Sequence, residues 1–360
     1  MLAPIRDYLG PKDPQSFPLL HATRDHYFSR LLVDVGPNKP GFAEARWIAS
    51  EDVNIEHLLD VFTSIDQHWD DIWDACFHFM EHLYWHKPQQ TTLRSKIESL
   101  PDDNRYKSRC LFWLSRLFQR VGNDMEEKRL LTRTLELKRQ QGDDIQVAQT
   151  LRFLSDANRR LGLHEDGIRQ VKEALGISER TGNTNWQIWC LNGLAQLLFA
   201  DKQLDTAEEV SSRALNLISG KKGQEYVVCQ LNQVLGQIHQ SKGEERKAIH
   251  HFETALGIAS AFNWHDILFW THFFLARLFR DEEKFDNAHA QIERAKAHAV
   301  NDEYKLGRAT RLQADFWYRQ HILEVAESEV LQALEIFEKL GAVKDVKNYR
   351  RLLQKVERAM

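Results

Sequence analysis

Three sets of residues have types and spacings that could do chemistry. The stretch DVGPNKPGFAEA, residues 34–45, holds a Gly-x-x-x-x-Gly spacing from Gly36 to Gly41. A phosphate-binding loop turns backbone N–H groups inward and follows its second Gly with Lys for the phosphates and Ser/Thr for magnesium. Here Phe42 and Ala43 follow Gly41, Lys39 precedes it, and Pro37 and Pro40 each remove a backbone donor. The stretch reads as a Pro/Gly connector. His78, His82 and His86 recur every four residues on one helix face, and the last two have zinc-ligand spacing. A His-Glu-x-x-His protease would need Glu at 83, where Leu83 stands; Phe77, Phe79, Tyr84 and Trp85 interleave as in a packed aromatic helix. Asp102-Asp103 and Asp143-Asp144 each precede a helical run, where carboxylates complement a helix N-terminus. No Gly-x-Ser-x-Gly elbow occurs.

The composition narrows the field further. A chain of 360 residues has length for about two domains. A net charge of −4 does not point to nucleic acid or an anionic membrane, so neither partner is expected. Cys76, Cys110, Cys190 and Cys229 lie far apart with no Cys-x-x-Cys, which fits reduced packing residues and a cytoplasmic location. The N-terminus has no apolar core or small-residue cleavage site of a secretory signal. The most apolar stretch, residues 266–280, is short and interrupted by His272 and Arg277, as in a buried helix. No cofactor or metal is expected.

What must position any site is a repeat. Similar segments begin at Leu114, Leu154, Leu194, Leu235, Leu275 and Gln313, a period of about forty. Each opens on a large residue followed by a small one, as in Leu154-Ser155 and Leu235-Gly236. A second small residue follows nineteen positions later: Ala174, Ala214, Ala255, Ala295 and Ala333. Gly122, Gly162 and Gly243 suit the end of a first helix. The first unit departs with Glu127 and Thr134 at small-residue positions, and the last with Gln313 for a large one.

These spacings resemble the tetratricopeptide repeat, with a period some six residues longer than usual. The expected fold is an all-α, TPR-like solenoid: a right-handed superhelix of antiparallel helix pairs, with about fourteen to seventeen helices. Residues 1–66 read as a helical prelude and linker, 67–104 as a divergent first helix pair, 105–341 as six repeats, and 342–360 as a capping helix.

The combination MLAPIRDYL, DVGPNKPGF and SEDVNIEHLLDVF, then FMEHLYWHKP, FLSDANRRLGLHEDGI and AIHHFETALGIASAFNWHD, resembles the C-terminal region of fungal STAND proteins, which are NLR-like. Those carry a NACHT or NB-ARC ATPase, a winged helix and then TPRs. The resemblance implies that MLAPIRDYL is a winged-helix remnant and that the repeats are the sensor half. An ATPase module is not expected ahead of Met1, so nucleotide-driven switching is not expected to carry over.

In such arrays the first helices make the concave wall. Counting from the large-small pair places Arg109, Phe112 and Arg116 there in the first unit, Arg152 and Arg159 in the second, and Trp189, Asn192 and Phe199 in the third. Gln233 follows from the fourth, Trp270, Phe273, Arg277 and Arg280 from the fifth, and Arg308, Arg311 and Tyr318 from the sixth. Arg binds carboxylates bidentately, Trp and Phe offer apolar pockets, and amides bond a peptide backbone. The expected partner is a protein or peptide segment, acidic with hydrophobic anchors; the plainer account of the Arg residues is pairing with neighbouring helices. The carboxylate clamp of chaperone-binding TPRs is not matched, because the next positions hold Trp113, Phe153, Gly193, Val234, Phe274 and Leu312. Two functions are carried forward: a non-catalytic interaction scaffold or sensor, and alternatively a metal-binding or hydrolytic protein with its site in residues 1–104.

Overall fold

A computed structural model describes residues 55, 56, 59, 70–86, 93–299 and 302–360. The Gly36–Gly41 stretch and nearly all of the prelude lie outside the described residues. The chain divides into two compact units: Met1–Arg120 with Arg129–Leu137, and Val121–Lys128 with Lys138–Met360. Among the described residues there are fifteen helices of more than five residues and no strand, the all-α solenoid that the period requires.

The first unit contains α1 (Asp70–His86), α2 (Arg94–Ser99), α3 (Lys107–Arg120) and the middle of α4 (Asp124–Gln141). The second contains five helix pairs: α5 (Asp144–Leu161) with α6 (His164–Arg180), α7 (Thr184–Ala200) with α8 (Leu204–Ile218), α9 (Glu225–Ser241) with α10 (Glu245–Ala261), α11 (His265–Asp281) with α12 (Phe285–Ala297), and α13 (Glu303–Arg319) with α14 (Leu323–Leu340). Helix α15 (Val343–Ala359) follows and packs on α14.

Local chemistry sets the helix ends. Asn123, Asp143, Asn183 and Asp302 accept from the backbone N–H three residues on, at 3.3, 3.1, 3.1 and 3.0 Å, each satisfying an orphan donor. Asp144 pairs with Arg180 at 2.8 Å, and Asp102 bonds Lys107 at 2.9 Å and also Arg133, so both acidic pairs serve helix ends and packing. Each first helix of the second unit closes with the same six-residue bond, such as Leu163 N to Asn158 O at 2.8 Å and Gln203 N to Leu198 O at 2.9 Å. This needs a left-handed residue. Gly162 and Gly243 supply it in two repeats, but Lys202 (φ 64°), Glu283 (φ 56°) and His321 (φ 59°) hold it in the others. A side chain there is strained, so Lys202→Gly and Glu283→Gly are each expected to stabilise by about 0.5–1 kcal/mol, read as a raised urea midpoint.

The small-residue columns are the seams. Ala174, Ala214, Ala255, Ala295 and Ala333 are fully buried. A Cβ on Gly236 would lie 2.5 Å from the Phe252 ring, which is why the fourth repeat needs Gly there. The departing positions have their own partners: Thr134 Oγ1 donates to Leu130 O at 2.8 Å, buried Glu127 pairs with Arg160, and buried Gln313 accepts from Lys296.

Histidines pack inside the later repeats. The His239 and His251 rings stack at 5.1 Å, His272 and His298 at 5.7 Å, and His265 Nδ1 lies 3.1 Å from His298 Nδ1. Burial, then the neighbouring His239 and His250, pushes His251 down to about 4; burial also lowers His272 and His298. A His whose folded pKa is depressed stabilises fully above its unfolded value near 6.5 and loses that contribution as pH falls toward the folded value. The urea midpoint is therefore expected to fall between about pH 6.5 and 4, and less steeply in His251→Gln.

Candidate functional site

Which helices face inward follows from their contacts. In the second unit α5, α7, α9, α11 and α13 each touch the next first helix, whereas no comparable contact joins consecutive second helices. An array curves toward the side on which neighbours approach, so the first helices form its inner wall. The predicted column lies along the seams between them.

In the first unit the cations sit on the aromatics of α1. The Arg109 guanidinium lies 3.4 Å from the Phe77 ring centre and bonds Asp74 at 3.1 Å. Buried Arg116 bonds Tyr84 Oη at 3.1 Å, and half-buried Phe112 meets Trp113 edge-on at 5.9 Å. His82 is fully buried and His78 half-buried, 3.8 Å from Glu81. Among the described residues no three His, Cys, Asp or Glu are placed to hold a metal ion.

In the second unit most predicted polar residues brace successive first helices. Arg152, 4% exposed, donates from Nε to Trp189 O at 2.8 Å and pairs with Asp156 at 2.7 Å, its guanidinium filling the space a Cβ on Gly193 would need. Arg159 is 3.4 Å from the same carboxylate. Burial alone would raise the Asp156 pKa, but Arg152, Arg159 and Arg160 hold it well below the carboxylate range. Buried Asn192 donates to Gln230 at 2.7 Å, and buried Gln233 to Ile267 O and Thr271 Oγ1 at 3.1 and 2.7 Å. Arg280 bonds Asp281 and Asp315 at 2.7 and 2.5 Å, and Arg308 bonds Asp345 at 3.1 Å while lying over Trp270 and buried Phe273. Arg311 stacks over Tyr349, 5.2 Å from its centre.

The seam leaves a narrower accessible row. Trp189, Gln196, Phe199, Gln230, Gln237, Trp270, Arg277 and Tyr318 are half-exposed on first helices. Arg159, Arg280, Arg308 and Arg311 are half-exposed as well but are bonded or stacked as above, whereas Arg277 makes no hydrogen bond or ion pair among the described residues. Sequence reasoning missed the partners that occupy the other guanidinium groups: Asp345 comes from α15, and Asp281 from the residue after Arg280. It also missed Tyr226, which contacts Trp189 and Trp264 at 6.2 and 5.3 Å and so ties three repeats. An aromatic at the start of each of these first helices was the available signal.

Other chemistry is sparse among the described residues. All four cysteines are buried, and burial pushes the Cys190 thiol up to about 11 and Cys110 and Cys229 up to about 12, far from nucleophilic near neutrality. A depression of about 1100 Å³ lies along α8, lined by Asp205, Glu208, Glu209, Ser212 and Arg213; it is open, acidic and off the inner wall. No helix among the described residues is long and apolar enough to cross a membrane.

Residues 146–218 match the tetratricopeptide repeat family model. That segment is a TPR region. No curated protein matches the chain. Among solved structures, it is similar to a Rap protein complexed with competence and sporulation factor, at 14% identity and a TM-score of 0.59, covering 95% of this chain and 98% of that one. It is similar to NprR in complex with its cognate peptide NprX, at 15% identity and 0.54, covering 94% and 99%. A third is the Rap conjugation gene regulator of plasmid pLS20 in complex with the Phr* peptide, at 14% and 0.54, covering 96% and 95%. At these identities what is shared is the TPR-like fold.

Proposed function

We propose that this TPR protein is a non-catalytic sensor or scaffold that binds an extended peptide segment along the inner wall of its first helices. The observation that carries it is the accessible row itself: aromatic Trp189 and Trp270, amides Gln196, Gln230 and Gln237, and a guanidinium, on successive repeats. Such a row offers apolar anchors, the amide atoms that the internal bonds leave over (Gln230 Nε2, Gln196 Oε1 and Gln237 Oε1), and one charge. The peptides bound by two TPR-like structures of nearly the same extent, and the competence and sporulation factor bound by a third, support this reading, as does the resemblance to the sensor half of STAND proteins. The amides and aromatics outnumber the free cations, so the segment is read as polar with hydrophobic anchors and limited acidic character. The inner-wall site residues and the cytoplasmic location belong to the same proposal.

Selection from a displayed random peptide library against the full chain tests it. Binders should emerge whose affinity falls at least tenfold in Trp189→Ala/Trp270→Ala and is unchanged in Ser212→Ala/Arg213→Ala on the α8 face. Binders indifferent to the first pair and lost with the second would move the site to the other face.

A further inference from the structure

We infer that α11 and α13 form a carboxylate subsite on the inner wall, with Arg277 as the cation that meets the ligand. The inference rests on the groove reading above and names the chemistry of one part of it. The wall here carries five guanidinium groups, Arg277, Arg280, Arg308, Arg311 and Arg319. The carboxylates that pair with them are three. Asp281 and Asp315 are shared between Arg280 and Arg319, at 2.7 and 2.5 Å from the first and 3.8 and 3.6 Å from the second. Asp345 is taken by Arg308. Arg311 lies over the Tyr349 ring. That leaves Arg277 half-buried, without an acidic partner, among like charges.

Such a placement is unfavourable for the empty protein. Burial, then the charges of Arg280, Arg308 and Arg311, lowers the Arg277 pKa, with only Asp281 opposing. A guanidinium held this way is prepared for an anion, because a ligand carboxylate both completes its hydrogen bonds and cancels the repulsion. The neighbouring chemistry says which anion. Trp270 lies seven residues before Arg277 on the same helix, two turns or about 10 Å away, and both are half-exposed. An extended chain covers that distance in about three residues. The ligand is therefore a peptide with an apolar side chain and a carboxylate about three residues apart. The carboxylate is either an Asp/Glu side chain or the peptide's own C-terminus.

Parallel selections from one displayed random library, against the full wild-type chain and against Arg277→Gln, test this. The wild type should enrich Asp or Glu about three residues from an aromatic or aliphatic anchor; the variant should keep the anchor and lose the acid. The best wild-type binder is then synthesised with that acid changed to its amide, and again truncated to end in a free carboxylate at the same position. The amide version should bind roughly tenfold more weakly to the wild type and no more weakly to Arg277→Gln. Retained affinity in the truncated peptide assigns the subsite to a C-terminal carboxylate, and loss assigns it to a side chain. Binders that ignore the acid, with the inner-wall dependence of Trp270 intact, overturn the subsite and leave the groove. Absence of any binder that depends on the inner wall overturns both. Without ligand, Arg277→Gln should melt at or above the wild-type temperature while Arg280→Gln melts below it. Equal losses in the two variants would make Arg277 a packing brace and end the proposal.

Discussion

Ala255→Trp lowers stability by about 3 kcal/mol or more, measured as a urea midpoint shift. Ala255 is fully buried on α10 among Cys229, Ala259, Trp264, Ile267 and Leu268, and its carbonyl accepts from Cys229 Sγ at 3.6 Å. These atoms belong to α9, α10 and the start of α11, so the residue sits where one repeat meets the next. A large ring has no space to enter without parting both helices. Overpacking a dense core usually costs about 1–3 kcal/mol, and an indole in place of a methyl lies at the top of that range or beyond. Because each repeat contacts only its neighbours, the loss should also uncouple the units and broaden the transition. Ser260→Trp, on the exposed side of the same helix, should stay within about 0.5 kcal/mol of wild type. Equal midpoints for Ala255→Trp and wild type would mean that the small-residue column is not the seam.

Glu127→Ala should cost about 3 kcal/mol. The Glu127 side chain is fully buried, and it pairs with Arg160, which also bonds Asp124 at 2.6 Å. Burial alone would lower the Arg160 pKa, but Glu127 and Asp124 raise it well above its ordinary value. Removing the carboxylate leaves a guanidinium largely out of water with one partner, and the cost is mainly that stranded charge. The double variant Glu127→Ala/Arg160→Met should recover most of the loss, since it removes the charge along with its partner. A double variant as unstable as the single one would show that the carboxylate acts through packing instead.

The array was legible because its constraint is steric and periodic. A position where two helices must touch favours Ala, Gly or Ser, with Thr134 the departure in the first repeat, and that preference recurs every forty residues or so without regard to the rest of the sequence. Ala174 through Ala333 are the result, and all are fully buried. The exceptions were legible as exceptions but not as pairs. Glu127 meets a residue 33 positions on, and Lys296 reaches Gln313 across a turn. Nothing local in the sequence announces either partner.

The inner wall was legible as a column of residue types and not as a set of available groups. Arg280 is bonded by Asp315, 35 residues later, and Arg308 by Asp345, 37 later on α15. Partners one repeat away depend on how far each repeat rotates against the last, which the residue types do not state. Gln233 shows the same limit: its amide is spent on the Ile267 carbonyl and Thr271. Arg277 stands apart only when the pairing of its neighbours is known.

The central claim is that the inner wall of the first helices receives a peptide. Its most direct test is photo-cross-linking of a selected peptide, carrying a benzophenone near its apolar anchor, to the full chain, with the attached residues mapped by mass spectrometry. The account predicts adducts on α7, α9 and α11 at or beside Trp189, Gln196, Gln230 and Trp270, suppressed by excess unlabelled peptide. Adducts confined to the second helices, or to residues outside the repeat array, would contradict it.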